Sequence, residues 1–156
     1  MVTAAQFNRL VRDEYNWLCE RLGLRAVPLE FTHAPESGFP MYGGTPRRIV
    51  VTFSDHDLSV VFNGTVTPEE GPPAWEERTI EGRRFWDPWR SDLWHEVVHQ
   101  VQDMNGFGWN PNDSRNGHAR GWQPAVEWMS GSLGCSEPKA LYDLLVSEDT
   151  PPFATK

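Results

Sequence analysis

Asp87-Pro88-Trp89-Arg90-Ser91-Asp92-Leu93-Trp94-His95-Glu96-Val97-Val98-His99-Gln100-Val101-Gln102-Asp103-Met104-Asn105-Gly106 is the stretch on which the fold turns. Asp87 followed by Pro88 is a helix start, an N-cap carboxylate ahead of a proline whose missing N–H costs nothing in the first turn. Asn105-Gly106 is a stop. Between them Leu93, Trp94, Val97, Val98, Val101 and Met104 fall on one side of the helix. Asp92, His95, Glu96, His99, Gln102 and Asp103 fall on the other. An amphipathic helix with its apolar back in a core is therefore predicted.

The polar side holds His95-Glu96-Val97-Val98-His99. Histidines four apart on a helix lie one above the other, so both imidazoles can address one metal ion. Glu96 is turned by roughly 100° from His95, out of the ligand set but within reach of a metal-bound water. With five histidines in 156 residues, such a motif arises by chance on the order of one time in a hundred. The pattern is that of a zinc-dependent peptidase, with His95 and His99 as ligands and Glu96 as the catalytic base. A third ligand must lie downstream. Position 105 is Asn105, which excludes the short metzincin extension and leaves His118 and Glu127 as candidates.

His95-Glu96-x-x-His99-Gln100, a turn-rich stretch, and Asn116-Gly117-His118-Ala119-Arg120-Gly121-Trp122 opening a second helix together resemble the SprT-like zinc metallopeptidases. The resemblance covers roughly residues 85 to 130. It implies a minimal zincin-like domain with one Zn²⁺ per chain on His95, His99 and His118, and Trp122 a turn beyond the third ligand. Ala119 departs from the glycine usual in that family, and Pro124 is unusual inside the second helix. Glu127 is the alternative ligand, by analogy with gluzincins.

The rest of the chain reads as α+β. A helix is expected from Thr3 to Leu22, with Thr3 and Gln6 as a capping box, Gly23 as the stop and Phe7, Leu10, Val11, Leu18 and Leu22 buried. Val27 to Thr32 reads as an edge strand because of Pro28, and Ala34 to Pro46 as a loop. Arg48 to Ser54 and Leu58 to Phe62 read as a hairpin turning at Asp55-His56-Asp57, which makes a small antiparallel sheet. A short extended piece is expected near Thr79-Ile80 and a last helix from Ser136 to Val146. Residues 1–150 form one domain and 151–156 a flexible tail.

Composition narrows the function. A mean hydropathy of -0.56 describes a soluble protein, no apolar run approaches the ~20 residues of a membrane span, and charges interrupt any N-terminal leader, so a cytoplasmic protein is expected. Cys19 and Cys135 make no disulfide framework and are expected to be reduced. A net charge of -8 argues against DNA as a partner, since phosphate contacts supply most of that affinity. Arg78, Arg83, Arg84 and Arg90 alternate with glutamates and read as a solvated face. The partner expected is a protein or peptide substrate; the oligomeric state stays open.

Seven of the eight tryptophans lie between 75 and 128. Trp94 reads as core, while Trp86, Trp89, Trp109 and Trp122 either pack or line a substrate cleft. The Pro68–Pro73 loop is a candidate rim. Arg120, Tyr42 and Tyr142 are candidates for stabilising an oxyanion, and Asp92 and Asp103 for orienting a ligand imidazole. His33 and His56 read as exposed. Two further readings remain: a non-catalytic zinc-stabilised binding module, against which Glu96 argues, and a toxin or effector protease, possible for a phage gene, acting on one host protein.

Overall fold

In a computed structural model the chain is α+β, and residues 2–36, 38, 40–61, 79–80, 83–84, 88–113, 115–135, 137–145 and 149–155 are described. Helix α1 (Ala4–Leu22) starts where the capping box requires: Gln6 N–H donates to Thr3 Oγ1 and Thr3 N–H to Gln6 Oε1. It ends on Gly23 at φ 64°. Its buried stripe is Phe7, Val11, Tyr15, Leu18, Cys19 and Leu22, with Leu10 only partly covered.

Strands β1 (Leu29–His33), β2 (Pro40–Gly43) and β3 (Arg48–Phe53) form one sheet in the order β1-β3-β2. The sheet is mixed, not antiparallel: β1 runs parallel to β3, with Leu29 opposite Ile49, and β2 antiparallel, with Tyr42 opposite Ile49. The expected hairpin after β3 does not form. Ser54 instead caps a short helix α2 (Asp55–Ser59), its hydroxyl accepting from Asp57 N–H while Asp57 Oδ2 accepts from Ser54 N–H, so the turn signal was a helix start. The antiparallel partner of β3 comes from the segment read as a loop. Pro40 is compatible with β2 because that strand lies at an edge, where a missing N–H breaks no inner ladder. Along β3, Ile49, Val51 and Phe53 face the helices.

A two-stranded ribbon, β4 (Thr79–Ile80) and β5 (Arg83–Arg84), follows. Helices α3 (Pro88–Met104), α4 (Trp122–Ser132) and α5 (Pro138–Leu144) complete the fold. Leu93, Trp94, Val97, Val98 and Val101 of α3 are fully buried. Their burial is worth roughly 1.5–3 kcal/mol for each aliphatic side chain, which fixes the helix axis against the core. Polar contacts lock its rotation: Trp94 Nε1 donates to the buried Glu14 at 2.8 Å and Tyr15 hydroxyl to Gln100 at 2.9 Å. Asp87, Trp86, Arg78, the Pro68–Pro73 loop, Phe62, Ser136 and Val146 lie outside the described residues.

Helix α4 starts at Trp122, four residues after His118, rather than at the histidine. Gly121 precedes it at φ 78°, and Pro124 occupies the first turn, where no intrahelical N–H bond is lost. Gly121 also has no room for a side chain, since a Cβ there would lie 2.2 Å from the Phe107 carbonyl oxygen. Gly121→Ala should therefore destabilise the protein by at least about 2 kcal/mol, from left-handed backbone strain and overlap together. The check is a lower urea midpoint at unchanged slope; a loss under about 0.5 kcal/mol would show that the loop relaxes freely.

Candidate metal centre

Helix α3 projects His95 and His99 from one face, with ring centroids 5.2 Å apart. The loop between α3 and α4 brings His118 to 4.8 Å from both. Each of the three offers a ligand nitrogen, and these atoms lie within 4.8 Å of one another. Trp122 is fully buried beneath them, its ring 4.4 to 4.9 Å from all three imidazoles. It forms a rigid apolar floor. Glu127 is elsewhere on α4, accepting from Gln123 Nε2 at 2.9 Å, and does not join the cluster. His33 pairs with Asp55 on the surface, and His56 is exposed.

The second nitrogen of each ring decides whether the donor set suits a cation. His95 Nδ1 lies 2.6 Å from the Leu145 carbonyl, His99 Nδ1 2.6 Å from Gln102 Oε1, and His118 Nδ1 2.7 Å from the Arg115 carbonyl. These oxygens only accept, so each Nδ1 must carry the proton, and each Nε2 is left with a lone pair. His95 Nε2 and His118 Nε2 face each other at 2.7 Å. Two lone pairs at that distance repel unless a cation lies between them. Three neutral imidazoles aimed at one point could hold a metal ion. Asp92 and Asp103 do not supply the orienting oxygens. Asp103 instead accepts from the Tyr42 hydroxyl at 2.6 Å and from Arg47 Nε at 2.8 Å. The sequence does not reveal the Nδ1 partners, because two are main-chain carbonyls and Gln102 is one polar residue among several on the helix stripe.

Electrostatics match that state. Burial lowers the pKa of His95 to about 4 and of His99 to about 3, which keeps both rings neutral and able to donate electron pairs. Burial raises Glu96 to about 8. A dication beside it would reverse that shift, because the ion becomes the largest local charge. Glu96 is aimed by β2: Tyr42 N–H donates to Glu96 Oε1 at 2.7 Å.

The imidazoles and Glu96 open onto a cleft of ≈ 790 Å³ whose apolar walls include Met41, Trp109, Leu144 and Leu145. Trp109 is thus at the cleft, its ring edge-on to Tyr42, whereas Trp89, Trp94 and Trp122 are core. The hydroxyls of Tyr42 and Tyr142 are already committed, to Asp103 and to the Pro151 carbonyl, and Arg120 is exposed.

No family model, curated protein or solved structure matches this chain.

The choice between His118 and Glu127 can be measured. His118→Ala should weaken metal binding by more than the roughly 10–100-fold that loss of an outer partner costs, and Glu127→Ala should leave it unchanged. Competition with a chromophoric chelator reads both; impairment of the Glu127 variant alone would reverse the assignment.

Proposed function

We propose that the chain is a zinc-dependent peptidase of the SprT-like type, hydrolysing peptide bonds of a protein substrate. The observation that supports this best is a carboxyl group, Glu96, lining the same open cleft as the three clustered imidazoles. A purely structural site has no use for that carboxylate or that opening. The donor set, three neutral imidazole nitrogens with room for a further ligand, suits Zn²⁺.

His95, His99 and His118 would hold the metal, which when bound supplies Lewis acidity and a water of lowered pKa. Glu96 accepts the proton of the attacking water and returns it to the leaving amine. The Tyr42 amide fixes Glu96 Oε1, so the other oxygen is the one free to face the water. Because Tyr42 N–H points off the β2–β3 ladder, the Tyr42 carbonyl points the same way, toward an extended peptide lying along the edge of β2. Met41 and Trp109 then meet its side chains. The net charge of -8 supports a protein substrate and activity independent of DNA. No helix among the described residues is long and apolar enough to cross a membrane.

Glu96→Gln preserves size and the bond from Tyr42 but cannot take a proton. It should keep its zinc and melting temperature while losing cleavage by a factor on the order of 10²–10⁴. Chelators should abolish wild-type cleavage, and single-stranded DNA should not stimulate it. Equal turnover of one verified substrate by both proteins would refute the mechanism.

A further inference from the structure

Gln102 is fully buried one turn below His99, and both ends of its amide are hydrogen-bonded. Oε1 lies 2.6 Å from His99 Nδ1. Nε2 lies 3.0 Å from the Gly117 carbonyl, 3.0 Å from the Arg120 carbonyl and 3.2 Å from the Gly108 carbonyl. The Gln102 main-chain carbonyl also accepts from Gly108 N–H at 3.2 Å. Gly117, Arg120 and Gly108 all belong to the loop that delivers His118.

The chemistry of these partners allows one arrangement. Main-chain carbonyls cannot donate, so the NH₂ end of the amide must face the loop and Oε1 must face the ring. Oε1 in turn makes His99 Nδ1 the donor and leaves His99 Nε2 as the lone pair of the site. The fold of the 108–120 loop thus dictates the tautomer of a ligand on α3, through one side chain. Contact is close: a Cβ on Gly117, at φ 92°, would lie 3.1 Å from His99 Cε1. The loop is also tied within itself, Asp113 Oδ1 accepting from Arg115 N–H at 2.8 Å and Gly117 N–H at 2.9 Å, and His118 Nδ1 donating to the Arg115 carbonyl.

We propose that Gln102 is a positioning residue that couples His99 to His118, so that the two ligands are oriented together rather than one by one. This rests on the metal-binding reading above. Two substitutions separate its halves. Gln102→Glu keeps an acceptor for His99 but turns the donors against three carbonyls into an acceptor. Gln102→Met keeps the volume and removes both functions.

The test uses the whole chain, with Zn²⁺ affinity measured by chelator competition, the visible spectrum of the Co²⁺-loaded protein, and amide exchange of the metal-free protein. Both variants should bind Zn²⁺ about 10–100-fold more weakly and give an altered Co²⁺ spectrum. Without metal, Gly117 and His118 amides should exchange faster while those of α1 do not change. If both variants only lower the denaturation midpoint, with zinc affinity, Co²⁺ spectrum and loop exchange as in wild type, Gln102 is mere packing and the coupling is overturned. If wild type itself takes up no zinc, the metal centre falls and this proposal with it. Gln102→Glu nearly retains the native volume and keeps the test decisive should Gln102→Met fail to fold.

Discussion

Three imidazole nitrogens aimed at one point are an arrangement that a protein core resists. His99 and His118 are buried and His95 is half-buried, and each ring wants a partner on both nitrogens. The structure satisfies the Nδ1 side of every ring with an oxygen that can only accept, at 2.6 to 2.7 Å. That leaves three lone pairs facing inward, unsatisfied by the protein itself. Everything around the site follows from keeping that unfavourable convergence in place: a helix with a fully buried back, an indole floor, and a loop that cannot relax.

Helix α3 acts as the fixed beam. Leu93, Trp94, Val97, Val98 and Val101 are packed to zero exposure, and Glu14 and Tyr15 of α1 hold its rotation through Trp94 and Gln100. The sheet contributes at the opposite side, where β2 lays the Tyr42 amide on Glu96 and the Tyr42 hydroxyl on Asp103. One edge strand therefore aims the carboxylate at the cleft. The carboxylate and the imidazoles come from the same helix, yet their orientations are set by different elements. Glu96 is set by β2, His95 by the end of α5 through the Leu145 carbonyl, His99 by Gln102 of α3, and His118 by the α3–α4 loop.

Much of this could be read from residues in order. The i, i+4 histidines, the polar stripe and the apolar back of α3 depend only on helical periodicity, which is a local property. Thr3, Gln6 and Gly23 framed α1 for the same reason, since capping is decided within four residues. Sequence failed where two local signals compete. Ser54-Asp55-His56-Asp57 is equally a turn and a capping box, and the helix won because both reciprocal bonds of the box form. Pro40–Gly43 resembled loop, because its strand character comes from pairing with β3 and not from its own composition.

What the sequence by itself determined is the set of chemical groups and their spacing on α3: two imidazoles on one face and a carboxylate beside them. Tertiary structure alone decided that His118 and not Glu127 joins them, since that depends on a loop bent through Gly117 and Gly121 and on where α4 begins. It also decided the parallel pairing of β1 with β3, and which oxygens hold the three rings. The physical reason is the same in each case. Helix periodicity and caps act over a few residues. Strand pairing, loop closure and a hydrogen bond to a main-chain carbonyl depend on where remote segments meet, which no local side-chain pattern encodes.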